Sequence, residues 1–178
     1  MLKEIKSRKS TRKYKDTPVS EEQVIQLLES ARLAPSGTNT QPWNFIIVRD
    51  EDNREEIAKI CGGQMWMTTA PVYIVCVADI RSRVKEEGLY IDEKTDTRDV
   101  KAIIRDTAIA ITHILLEAEA LGLSTCWIAH LNQADLRPAL DMPNDKYIVG
   151  VITVGYSDED RRPTPRRNLE SMIRYEKW

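Results

Sequence analysis

Cysteine is scarce in this chain of 178 residues: Cys61, Cys76 and Cys126 are odd in number, widely spaced and form no Cys-x-x-Cys pair. That excludes a disulfide framework and a zinc site of the usual spacing, and a reducing, cytoplasmic setting suits such usage. Positive charge is not in excess. The 26 Lys and Arg against 28 Asp and Glu leave a formal net charge of -2, which disfavours a general nucleic-acid binder, because neutralising phosphates needs a basic surface. Long apolar runs are missing too. The longest, Ala70 to Ala78, falls far short of the roughly 20 residues that a membrane-spanning helix needs, and Met1-Leu2-Lys3-Glu4-Ile5-Lys6 holds no apolar signal segment. Neither Gly-x-Gly-x-x-Gly nor a phosphate-loop motif occurs, which weakens dinucleotide-fold and P-loop readings, and no internal repeat is visible. The length suits one domain, 1–178, with a core large enough to fold without covalent staples.

What is present reads in order as helices and strands. Ser20-Glu21-Glu22-Gln23 is a capping box with Val19 and Val24 as a hydrophobic staple, and Val24, Leu27, Leu28 and Ala31 then mark one helical face. Phe45 to Val48 is a first strand, and Asp50-Glu51-Asp52-Asn53 opens a short helix stopped at Gly62-Gly63. Ala70 to Ala78 is nearly continuous in apolar residues, as expected of a mid-sheet strand covered on both faces. Asp79 to Lys101 is charged and weakly patterned, which suggests an excursion or lid outside the core. Val100 to Leu121 is the longest helical pattern, apolar around most of its middle, and so central or at a subunit interface. His113 within it has no neighbouring ligand at metal spacing and reads as a packing residue. Ser124 to Ala129 and Tyr147 to Tyr156 are two more strands, with a short helix capped by Asn132 between them. The tail from Ser157 to Trp178 cannot form its own core, so its last apolar residues need a partner surface.

Two stretches carry chemistry. Ser7-Arg8-Lys9-Ser10-Thr11-Arg12-Lys13-Tyr14-Lys15 interleaves five cations with hydroxyls, donors that suit a phosphate or a polar ring edge, although a solvated basic arm has the same composition. Pro35-Ser36-Gly37-Thr38-Asn39-Thr40-Gln41 gathers small polar residues where burial does not ask for them. A backbone preset by Pro35 and opened by Gly37 can approach a ligand closely, or simply connect a helix to a strand.

Taken together, four blocks resemble the nitroreductase family of FMN-dependent, NAD(P)H-using oxidoreductases, and the likeness extends over most of the chain. Arg8-Lys9-Ser10-Thr11-Arg12 is similar to that family's Arg-Arg-Ser-x-Arg, with Lys9 at the second position. Ala34-Pro35-Ser36-Gly37-Thr38-Asn39-Thr40-Gln41-Pro42-Trp43 resembles its Ala-Pro-Ser-x-x-Asn-x-Gln-Pro-Trp. Gly122-Leu123-Ser124-Thr125-Cys126-Trp127 resembles its Gly-Leu-Gly-x-Cys-Trp, with Ser124 in place of the second Gly. Gly155-Tyr156 followed by Pro165-Arg166-Arg167-Asn168-Leu169 resembles its closing signature, with Asn168 where Pro is usual. Each block alone is weak; four in order are specific.

The resemblance implies an α+β fold, a central mostly antiparallel sheet surrounded by helices, in a homodimer that exchanges its C-terminal arm, 157–178. It implies FMN at the subunit interface, with Arg8, Lys9, Ser10, Arg12 and Arg166 from one copy and Pro35, Ser36, Gly37 and Asn39 from the other. Gln64 and the backbone near Trp127 and Ile128 are further candidates for the ring's polar edge, and Trp66, Met67 and Tyr90 for shaping the open face. NADH or NADPH would donate electrons in a ping-pong hydride transfer to nitroaromatics, quinones or related small acceptors, with no catalytic side-chain acid or base, no metal, no nucleic acid and no membrane. A non-catalytic FMN-binding or partner-binding domain, a specialised member such as a dehalogenase, and a nucleic-acid arm at Ser7 to Lys15 stay open beside it.

Overall fold

The computed structural model describes residues 1–160 and 164–178. Four antiparallel strands, β1 (Trp43–Val48), β2 (Val72–Asp79), β3 (Ser124–Ile128) and β4 (Lys146–Gly155), lie in the order β1-β2-β4-β3. Five helices accompany them: α1 (Lys3–Ser7), α2 (Glu21–Arg32), α3 (Glu51–Ile60), α4 (Arg98–Ala120) and α5 (Gln133–Ala139). This is the expected α+β architecture.

The sheet is sandwiched. Along β2, Val72, Ile74, Cys76 and Ala78 pack into one core with α2 and α4, while Tyr73, Val75 and Val77 pack into a second with α3 and α5, so the strand's unbroken apolar run follows from cover on both faces. The strand starts at Val72 rather than at Ala70, since Pro71 has no N–H to donate to a ladder. The predicted capping box is formed: Ser20 accepts from the Gln23 N–H, and the Gln23 side chain accepts from the Ser20 N–H. His113 meets the Ser30 carbonyl through Nδ1 at 3.0 Å, a satisfied packing residue.

The stretch from Asp79 is less of an excursion than its charge suggests. Ile80 and Ile91 are buried, Ile91 N–H donates to the Asn144 carbonyl, and the Ile91 carbonyl accepts from the Arg137 guanidinium. Isolated apolar residues in a charged stretch leave no periodic signal, yet two of them suffice to seat it. Among the described residues of the tail, a 3-10 turn at Leu169–Met172 is the regular element, and Leu169, Met172, Tyr175 and Trp178 are exposed.

Gly150 shows how closely the sheet is packed at β3. A Cβ there would meet Trp127 Nε1 at 2.1 Å and the Ile128 carbonyl at 2.9 Å, so Gly150→Ala should destabilise the fold by about 1–3 kcal/mol through overpacking. Urea unfolding checks this as a lower midpoint at unchanged slope.

Candidate functional site

The basic N-terminal stretch is not a free arm. Thr11 N–H donates to the Thr125 carbonyl at 3.0 Å, Ser10 bridges Thr125, and Lys15 N–H donates to the Tyr156 carbonyl at 2.8 Å, so the segment runs along the open edge of β3 and past the end of β4. Tyr14 anchors it. Its ring is buried and its hydroxyl lies 2.7 Å from Thr153 Oγ1 and donates to the Thr11 carbonyl at 2.9 Å. Burial pushes this phenol above its ordinary range, so it stays protonated as a donor. Outside it, Lys13 pairs with Asp158 at 2.7 Å, Arg12 N–H donates to Glu159 Oε1 at 2.7 Å, and Lys9 Nζ donates to the Asp160 carbonyl at 2.8 Å.

This docking gathers cations beside the carboxylates of Asp158 and Glu159, which meet Lys13 and the Arg12 backbone and leave two guanidiniums without an ion pair. The Arg8 and Arg12 guanidiniums form no ion pair among the described residues; Arg12 instead lies over the Trp66 ring, 5.9 Å from its centroid. Both, with the Ser10 hydroxyl, act on the Cys126 thiol. Burial raises that thiol, while Arg12, Ser10 and Arg8 pull it down. Because Thr125 turns its carbonyl outward to Thr11, Trp127 two residues along presents its backbone groups to the same edge. Ile128 beside it is buried in the second core. Gln64 is half-buried behind α3 and spends its amide N–H on the Cys61 carbonyl at 2.8 Å. Burial raises Cys61 to about 11 and lifts Cys76 as well, so no described cysteine is a thiolate nucleophile near neutrality.

The polar loop after α2 forms a second group. Ser36 Oγ accepts from Gln41 N–H at 2.9 Å, and a 3-10 turn at Gly37–Asn39 holds Thr38, Asn39 and Gln41 at positive φ of 54, 56 and 46 degrees. Each such residue costs on the order of 1–3 kcal/mol and persists only where its surroundings fix it. Here a buried carboxylate does so. Asp106 Oδ2 accepts from Gly37 N–H at 3.1 Å and from Arg83 at 3.0 Å, while Arg83 also donates to the Gly37 carbonyl at 3.3 Å. Pro35, Gly37 and Asn39 are left exposed, with the Asn39 side chain unbonded among the described residues.

No hydrogen bond or ion pair joins the loop to the cations of the N-terminal segment among the described residues. Arg166 is separate from both: exposed on the tail, it donates to the Thr164 and Pro165 carbonyls. Of the ring-shaping candidates, Trp66 meets Arg12, Met67 is buried in the core, and Tyr90 stacks on Arg137 at 5.2 Å beside α5. Sequence reasoning missed Arg83 and Asp106. A carboxylate three residues after Ile103, on the apolar stripe of α4, was the signal that could have found them. Among the described residues no cluster of metal-ligating side chains occurs, and no helix is long and apolar enough to cross a membrane.

The edge of β3 thus offers backbone donors and acceptors beside two guanidiniums that form no ion pair among the described residues. The Nitroreductase family model matches residues 5–156, and the chain belongs to that family. An NAD(P)H FMN reductase of Bacillus subtilis is 28% identical over 100% of this chain and 74% of its own. An NADH dehydrogenase of Thermus thermophilus is 28% identical, covering 93% of this chain and 91% of its own. A solved FMN-dependent nitroreductase of Clostridium difficile superposes with a TM-score of 0.82 at 29% identity, over 100% of both chains.

Asp106→Ala removes the anchor of the strained loop and strands Arg83, whose side chain is 18% exposed. A loss of about 3 kcal/mol is expected, as for breaking a largely buried ion pair, with faster proteolytic cleavage between 36 and 41. Unchanged thermal unfolding and cleavage would refute this anchoring.

Proposed function

We propose that the protein is an FMN-dependent oxidoreductase that takes electrons from NADH or NADPH and passes them to nitroaromatics, quinones or related small acceptors. The observation that carries this reading is the pair of guanidiniums, Arg8 and Arg12, without carboxylate partners on either side of Ser10 at the open edge of β3. The names borne by the Bacillus subtilis and Clostridium difficile relatives, alike over the whole chain, support the same cofactor and donor.

The residues fit FMN. Arg8 and Ser10 offer an unpaired cation and a hydroxyl for a phosphate, the charge-assisted contact that guanidinium favours. The outward backbone of Trp127 offers the alternating donor and acceptor that a flavin's pyrimidine edge requires. When bound, FMN supplies a ring that accepts and returns a hydride, so that donor and acceptor use one face in turn, a ping-pong order. Arg12 provides a cation that stabilises negative charge on the reduced form and raises its reduction potential. Pro35, Ser36, Gly37 and Asn39 wall the ring with a backbone that Asp106 keeps from moving. Lys9, Gln64 and Ile128 position these groups: Lys9 through its bond to Asp160, Gln64 by closing the end of α3, Ile128 by fixing β3.

In this reading the two groups come from different copies in a homodimer, and the exposed apolar residues of the tail, with Arg166, reach the other copy. That accounts for a loop and a cation cluster that do not touch within one chain.

Purified protein should be yellow, or become so on adding FMN, and should bleach without oxygen when NADH or NADPH is added. Colourless protein that ignores FMN would overturn the reading; yellow protein that neither donor bleaches would leave only a flavin carrier. Arg8→Ala should weaken FMN retention by about 1.5–3 kcal/mol, the worth of a charge-assisted bond. Equilibrium dialysis reads that loss directly.

A further inference from the structure

Gly37 and Thr38 also line a cavity of about 630 Å³ whose other walls are Arg83, Arg98, Lys101 and Arg105, with the buried, small Ala102 among them; no lining residue is acidic. Arg98, Lys101 and Arg105 follow one another on one face of α4 over about 10 Å of helix. Two of the four cations are answered within the chain, Arg83 by Asp106 and Lys101 by Asp96. Arg98 and Arg105 have no hydrogen bond or ion pair among the described residues, and Arg83 Nε is buried without a partner. The placement of Arg98 also runs against the helix dipole. Arg98 is the first residue of α4, where the exposed N–H groups already favour a negative charge and disfavour a cation. Such cations beside a strained, anchored loop ask for an anion from outside the chain, and the helix N-terminus adds to its attraction.

The charge required is specific. A phosphate monoester carries about 1.5 to 2 negative charges on one phosphorus near neutral pH, which two unpaired guanidiniums neutralise; a quinone or simple nitroaromatic carries none. We propose that this cavity binds the 2′-phosphate of NADPH, which makes NADPH the preferred donor. The inference rests on the oxidoreductase reading above, since that reading supplies a donor and places Gly37 at the flavin.

The test uses FMN-loaded protein and two probes, adenosine 2′,5′-bisphosphate and 5′-AMP, titrated calorimetrically. The bisphosphate should bind at least tenfold tighter than 5′-AMP, and the double variant Arg98→Ala, Arg105→Ala should abolish that difference. In steady-state assays the ratio of kcat/KM for NADPH to that for NADH should fall at least tenfold in the double variant. Equal binding of the two probes, or a preference that survives the double variant, overturns the proposal. So does inorganic phosphate binding as tightly as the bisphosphate, which would make the cavity a free-phosphate site. Loss of FMN from the double variant would assign these cations to the flavin and overturn it as well. If the double variant does not fold, Arg98→Gln alone, at an exposed position, should still reduce the ratio at least threefold; an unchanged ratio is contrary. Failure of the oxidoreductase reading looks different: the protein holds no flavin or neither donor bleaches it, whatever the probes do.

Discussion

The hydrogen bond from Thr11 N–H to the Thr125 carbonyl, with the Tyr14 hydroxyl buried against Thr153, is the contact on which the rest depends. It converts a run of basic residues, which would otherwise repel one another in solvent, into an extra segment along the edge of β3. An exposed sheet edge is a hazard because its unpaired backbone groups invite association. Covering part of that edge with a basic segment lessens the hazard and, in the proposed reading, brings Arg8, Ser10 and Arg12 to the site in one step. The buried ring of Tyr14 holds the polar residues on either side of it in place.

The second constraint is Asp106. One carboxylate, 5% exposed, accepts from both Gly37 and Arg83 and so fixes a loop with three non-glycine residues at positive φ. A mobile loop could not hold such a backbone, and a ring stacked against it would meet a different wall in every molecule. The same ion pair consumes one cation of the basic cavity and leaves Arg98 and Arg105 unanswered, which links the proposed flavin wall to the proposed donor pocket through a single helix, α4. Cations are thus disposed in two places: at the edge of β3, for the proposed cofactor, and at the start of α4, for the proposed donor.

Much of this was legible in the residues. The sheet followed from apolar runs bounded by Gly, Pro and polar turns, and the burial of β2 on both faces followed from the lack of alternation between Val72 and Ala78. The capping box at Ser20 located the start of α2, and hence the loop that α2 delivers. The order of the four motif blocks identified the family. What was not legible was long-range. Nothing near Arg8 in the sequence says that Thr125 will receive its segment, and nothing near Gly37 announces Asp106, because such pairings depend on which strands and helices become neighbours. The segment from Asp79 was misjudged for a related reason: Ile80 and Ile91 are single anchors without a period, and charge around them masks what they bury.

The central claim is that the loop beginning at Pro35 and the cations beginning at Arg8 serve one ligand from two copies of the chain. Mixed refolding tests this most directly, with one variant lacking the cations, Arg8→Ala and Arg12→Ala, and another with the loop altered, Gly37→Val and Asn39→Ala. A Cβ at Gly37 would lie 2.8 Å from the Arg83 guanidinium, so the second variant disturbs the contact of Arg83 with Gly37 and Asp106 that anchors the loop, without touching the sheet edge. Each variant alone should hold little FMN, and the mixture should regain flavin binding in the pairs where an intact loop faces intact cations. Mixtures that stay as colourless as the separate variants would contradict the shared site.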